Sequence, residues 1–94
     1  MRDLPPGLVK YGGTPVFTEK TVPAKLTRAH DTKAGVWGKL VVIEGALDYV
    51  IPGPPEKRKH VCAGEFAVIE PEVKHYVRPD DGVTFRVDFY RREN

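Results

Sequence analysis

Glycine and proline punctuate this chain so densely that a long amphipathic helix has nowhere to form. Nine of each are spread over 94 residues, and both weaken the interior of a helix, proline for want of an N–H and glycine through backbone entropy. The longest internal stretch free of both runs from Ala24 to Ala34. Within it Leu26, Arg28, His30 and Thr32 alternate with Thr27, Ala29, Asp31 and Lys33, and no apolar stripe recurs at helical spacing. The remaining segments are short, β-branched or aromatic, and bounded by turn residues. They are Val9–Tyr11, Pro15–Phe17 behind a Gly12-Gly13 turn, Leu26–Asp31, Trp37–Glu44, Leu47–Ile51 after Gly45, and Lys59–Cys62 after the Pro52-Gly53-Pro54-Pro55 loop. Glu65–Ile69, Lys74–Val77 and the alternating Val83, Phe85, Val87 and Phe89 behind Asp80-Asp81-Gly82 complete the set. Short strands at regular spacing predict an all-β domain, a compact barrel with little or no helix.

The length allows one domain, residues 1–94, with the loosest ends expected in the first twenty residues and the last four. Such a chain buries only about 60–65% of its unfolded surface, enough for one core and one small cavity. Fifteen Lys and Arg against thirteen Asp and Glu leave a net charge of +2, too mild for a nucleic-acid partner, which calls for a basic stripe. The one dense basic run, Lys57-Arg58-Lys59-His60, reads as a solvated strand or loop. No apolar run approaches the ~20 residues of a membrane span, and the N-terminus lacks a hydrophobic signal core. A lone cysteine, Cys62, has no internal disulfide partner; together these features predict a cytoplasmic protein. Cys62 reads as a small buried residue at a strand end. No glycine-rich phosphate loop, zinc-finger spacing or Ser-His-Asp signal is present, so no residue set commits the chain to a reaction.

The three histidines, His30, His60 and His75, are the natural candidates for metal or acid–base chemistry, because imidazole ligates metals and titrates near neutrality. Gly64, five residues, and then Glu70-Pro71-Glu72-Val73-Lys74-His75 resemble the second motif of the cupin superfamily. His30 ahead of Leu40-Val41-Val42-Ile43-Glu44-Gly45 resembles part of the first. More specifically, Leu4-Pro5-Pro6-Gly7-Leu8, Thr14-Pro15-Val16-Phe17-Thr18, Arg28 through Gly38, Ile69 through His75 and Phe89-Tyr90-Arg91 resemble, in order and over essentially the whole chain, the TehB/YeaR-like domain family. That resemblance implies a cupin-like double-stranded β-helix, or jelly-roll, barrel associated with resistance to tellurite or related oxyanion stress. The family occurs alone and as an N-terminal domain on tellurite-resistance methyltransferases; no methyltransferase part is present in this sequence.

The sequence departs from the metal-binding cupin pattern. Thr32 stands where a second histidine is expected, Trp37 or Gly38 near the acidic ligand's place, Glu70 for the usual proline and Glu72 for the usual glycine. A reduced site remains: His30, His75 and one carboxylate, Glu70 first and Glu44 second, for a divalent metal such as Zn, Fe, Ni or Mn. A metal-free alternative starts from side-chain alternation. If His30 faces inward on a strand, so does Arg28, with Lys33 just beyond, and the two cations beside His30 and His75 favour a small oxyanion such as tellurite or nitrite, or a small carboxylate. Trp37, Tyr49, Tyr76 and Phe66 either line such a pocket or are plain core. A third expectation is a homodimer formed through an exposed edge strand near Val9 or Phe17.

Overall fold

The computed structural model describes residues 3–93. Eight strands follow in order: β1 (Leu8–Gly13), β2 (Phe17–Thr18), β3 (Trp37–Glu44), β4 (Ala46–Ile51), β5 (Lys57–Cys62), β6 (Phe66–Ile69), β7 (Tyr76–Pro79) and β8 (Thr84–Arg92), with one 3-10 turn at Ala24–Thr27. The chain is all-β, as expected, and every pairing is antiparallel. One sheet has the order β1-β8-β3-β6, with β2 also on β8; the other has the order β5-β4-β7. Among the described residues no ladder joins the two sheets, so the expected closed barrel is an open pair of facing sheets.

Period-two alternation builds the core. Leu40 and Val42 of β3 and Phe85 and Val87 of β8 face Leu47 and Tyr49 of β4, Val61 of β5 and Val77 of β7, and all are buried. β3 passes into β4, which lies in the other sheet and does not pair with it, through a sharp turn at Gly45, whose φ is +70°. A Cβ there would lie 2.9 Å from the carbonyl oxygen of Gly82, so both the backbone angle and the close approach require glycine. A second close approach occurs at Gly38, where a Cβ would meet Ile69 Cβ and Cδ1 at 3.0 Å. Asp80-Asp81-Gly82 is the turn before β8, with Val83 N donating to Asp80 O at 3.2 Å.

Two local expectations are corrected. Gly12-Gly13 is the end of β1, with a register shift between Lys10 and Gly12, and not a turn. Leu26–Asp31 is not a strand. Its first half is the 3-10 turn, where Leu26 N donates to Pro23 O at 3.0 Å and the Thr27 hydroxyl donates to Ala24 O at 2.8 Å. Thr27, Arg28 and Ala29 are all exposed. Beyond Leu26, which packs against the core, the segment has no large apolar side chain to bury, so local hydrogen bonds win until a single bridge forms at His30.

Candidate functional site

That bridge places the two histidines expected to share a site side by side. His30 N donates to His75 O at 3.0 Å, and His75 N donates to His30 O at 2.8 Å. Directly opposed residues of an antiparallel pair project to the same face. The two rings accordingly meet with centroids 4.2 Å apart and planes inclined by 59°. His75 is 2% exposed, while His30, on the outer edge of β7, is half-buried.

Both imidazoles are oriented by the same short-range device. His30 Nδ1 lies 2.9 Å from the Arg28 carbonyl, and His75 Nδ1 lies 2.9 Å from the Val73 carbonyl. A carbonyl oxygen only accepts, so each Nδ1 must carry the proton and donate. In the neutral ring Nε2 is then a bare acceptor. Burial pushes the His75 pKa down, against the Val73 hydrogen bond and the Asp31 charge; neighbouring His30 pushes the same way as burial. His75 is therefore a neutral imidazole at neutral pH.

Both rings line a cavity of about 120 Å³ between the sheets. Leu26, Leu40, Ile69, Val77, Phe85, Val87 and Phe89 supply its apolar wall, and Thr14, Lys25, Asp31 and Thr32 its remaining polar groups. Tyr49 packs against His75, ring centroids 5.4 Å apart. Its buried hydroxyl has no hydrogen-bond partner among the described residues. Burial, and secondarily the Glu70 charge, raise its pKa and keep the phenol protonated.

The other expected site residues are placed as follows. Arg28 is exposed and contributes its carbonyl, not its guanidinium, to the site. Lys33 is exposed and does not line the cavity. Both expectations assumed a strand through Arg28, and the strand is missing. Lys25 and Asp31 do line the cavity. Lys25 carries no signal in the sequence, because a 3-10 turn and not a strand aims it; Asp31 had only its adjacency to His30. Glu70 follows β6 half-buried, and Glu44 ends β3 exposed.

Among the described residues no three His, Cys, Asp or Glu side chains gather closely enough to hold a metal ion. The structure brings together the two imidazoles of the expected ligand set and not the carboxylate, so the donors present do not fit a two-histidine, one-carboxylate centre. Trp37 borders a different hollow of about 360 Å³ with Tyr11, Gly35, Arg91 and Arg92. Phe66 lies under the ammonium groups of Lys39 and Lys59, and Tyr76 under Arg78, so neither lines the cavity.

His60 sits on β5 with Nδ1 2.8 Å from Asp48 Oδ1, which raises its pKa mainly through that hydrogen bond. Arg58 reaches the same carboxylate at 3.2 Å, so the basic run is a solvated, acid-paired strand face. Cys62 is exposed, not buried. Desolvation and the Glu65 carboxylate push its thiol pKa up, which disfavours a thiolate nucleophile. Val9, on edge strand β1, is 36% exposed, whereas Phe17 packs partly buried against the core. Among the described residues no helix is long and apolar enough to cross a membrane.

The same architecture is found in known proteins. A crystal structure of a protein from Escherichia coli (strain K12) superposes with a TM-score of 0.89 at 28% identity over the whole of both chains. That of TehB from Haemophilus influenzae gives 0.82 at 26% identity, over 93% of this chain and 32% of that one. In sequence, YeaR of Escherichia coli (strain K12) is 29% identical over 99 residues, covering 96% of this chain and 83% of that protein. The probable S-adenosyl-L-methionine-dependent methyltransferase TehB of Haemophilus influenzae is 30% identical over 88 residues, covering 88% of this chain and 31% of that protein. The model of the TehB-like domain matches residues 13–87, from the last residue of β1 into β8 and across both histidines, and on that match the chain belongs to the TehB-like domain family.

Proposed function

We propose that this chain is a binding domain for a small oxygen acid, held in the cavity between the sheets by His30 and His75 without a metal ion. One observation carries the reading: two adjoining imidazoles, each with Nδ1–H committed to its own backbone, line one cavity and leave Nε2 to it. A bare Nε2 accepts a hydrogen bond, so the pair favours an oxyanion that still carries a proton, such as hydrogen tellurite, or a small carboxylic acid. Lys25 is the cation that borders the cavity, the role expected of Arg28 and Lys33, and Asp31 offsets its charge.

The fold reading supports a pocket of this kind. The order β1-β8-β3-β6 facing β5-β4-β7, with the His30 segment bridged beside β7, supports reading the fold as a jelly roll with one strand reduced to a single bridged residue. The family's association with tellurite resistance supports an oxyacid as ligand and stress response as the setting. An unpaired, exposed Cys62 supports a reducing compartment such as the cytoplasm. The methyl-transfer activity named for TehB belongs to a protein of which this chain spans about a third, and it is not assigned here.

Thermal unfolding in a panel of oxyanions and small carboxylic acids tests the reading. Ligands of the site raise Tm by an amount that grows with RT ln(1 + [L]/Kd), and His75→Gln abolishes the rise. A panel without any shift contradicts the reading. So does a metal content near one equivalent in protein purified without a histidine tag.

A further inference from the structure

The cavity wall bears on the ligand class; this step rests on the binding reading above for the cavity and its two histidine acceptors, and puts an uncharged occupant in place of the oxyacid named there. Most of its polar groups lie together: His30, Asp31 and Thr32 follow one another along the bridged segment, and His75 pairs with that segment; Thr14, on the β8 side, has its hydroxyl engaged by Val87 N at 3.0 Å. The far wall is hydrocarbon, made by Leu40, Ile69, Val77, Phe85, Val87 and Phe89 of the two sheets. Bare inorganic anions hold their water tightly, and a wall of this kind offers nothing to replace it. At about 120 Å³ the space is slightly smaller than the cavities of about 150 Å³ that admit benzene.

We infer that the occupant is an organic hydroxyl compound, an uncharged –OH head on a hydrocarbon body of about three to five carbons, with the hydroxyl donating to Nε2 of His75 or His30 and the body against Ile69, Val77 and Val87. Hydrogen-bond polarity and shape point to the same class. The histidines supply acceptors, so the head must donate. Lys25 and Asp31, of opposite sign, both border the cavity, so no net charge there favours an ionised head. Tyr49 backs His75 with a phenol that stays protonated, and Glu70 acts on Tyr49 from beyond it. The β6, β7 and β8 strands present only apolar side chains to the cavity, His75 standing just ahead of β7.

Straight-chain alcohols from ethanol to 1-hexanol serve as probes, titrated into isotope-labelled protein and followed by NMR, with tellurite in a parallel arm. The expected result is a saturable perturbation confined to the two histidine rings and the methyls of Leu40, Ile69, Val77 and Val87. Affinity should rise about fourfold per added methylene until the chain overfills the cavity. Val87→Leu, which keeps the core apolar and reduces the space, should move that optimum about one carbon shorter. His30→Asn, at the less buried ring, should weaken every alcohol several-fold. Tellurite perturbing the same residues while no alcohol does overturns the inference and leaves the binding reading standing. Silence in both arms overturns both. Alcohol binding that is insensitive to chain length and to Val87→Leu also overturns the inference.

Discussion

Tyr49 and His75 lie one against the other in the interior, ring centroids 5.4 Å apart, and of the imidazole N–H and the phenol O–H only the first has a hydrogen-bond partner. His75 Nδ1 has the Val73 carbonyl, whereas the Tyr49 hydroxyl is buried without a partner among the described residues. A buried, unsatisfied hydroxyl costs about 1–3 kcal/mol relative to one that is paired. Replacing it should therefore be harmless. Tyr49→Phe is expected to leave stability unchanged or raise it by up to about 1 kcal/mol in urea unfolding. A loss above about 1 kcal/mol would show that the hydroxyl donates to something in solution, such as a trapped water.

The buried neutral His75 should set the acid limb of the stability curve. Its pKa is lowered in the folded state by burial, so below the unfolded value of about 6.5 the unfolded chain binds the extra proton first. Stability then falls as pH falls, by up to about 1.4 kcal/mol per pH unit, and the loss ends at the folded pKa. His60 works in the opposite sense. Its raised pKa contributes stability below about 6.5 that is lost as pH rises through the higher folded value. Urea midpoints of the His60→Gln protein between pH 7.5 and 5 isolate the His75 contribution. A flat profile in that background contradicts a buried neutral His75.

Gly38 and Ile69 make a close-packed pair across the β3–β6 ladder. Gly38→Ala places a methyl 3.0 Å from Ile69 Cβ and Cδ1 and should cost about 1–3 kcal/mol through overpacking. Ile69→Val removes Cδ1 and should recover part of that loss in the double variant, giving a coupling of about 0.5–1 kcal/mol. Additive effects would mean that the strands separate rather than clash.

The same pair illustrates what could be read from the residues alone. Trp37–Glu44 was legible as a strand to the residue, because its β-branched run fits one element only. The turns at Gly45 and at Asp80-Asp81-Gly82 followed from backbone chemistry, but not that β3 and β4, either side of Gly45, lie in different sheets and form no hairpin. The alternation of Leu26, Arg28 and His30 misled, because alternation marks a strand only when one face is buried, and here Thr27, Arg28 and Ala29 are all exposed. That error placed Arg28 in the site and hid Lys25. Pairing of His30 with His75 was reachable only through family resemblance, since no local spacing encodes a bridge across forty-five positions. Sheet closure depends on ladders between distant strands and was not legible at all.

The metal expectation has a direct test of its own. Loading with Zn, Fe, Ni or Mn followed by gel filtration and elemental analysis should leave less than about a tenth of an equivalent bound, because two imidazoles alone hold these ions weakly against buffer. Glu70→Gln should not change that figure. Near-stoichiometric metal that is lost in Glu70→Gln would restore the two-histidine, one-carboxylate centre.

The central claim is that His30 and His75 present bare Nε2 atoms to a ligand cavity. Long-range proton–nitrogen correlation of the imidazole rings at pH 8 reads it most directly. Protonated Nδ1 and unprotonated Nε2 in both rings, with both Nε2 signals moving together when a ligand binds, is the predicted result. A protonated Nε2 in either ring, or Nε2 signals that stay fixed while a ligand binds elsewhere, would contradict it.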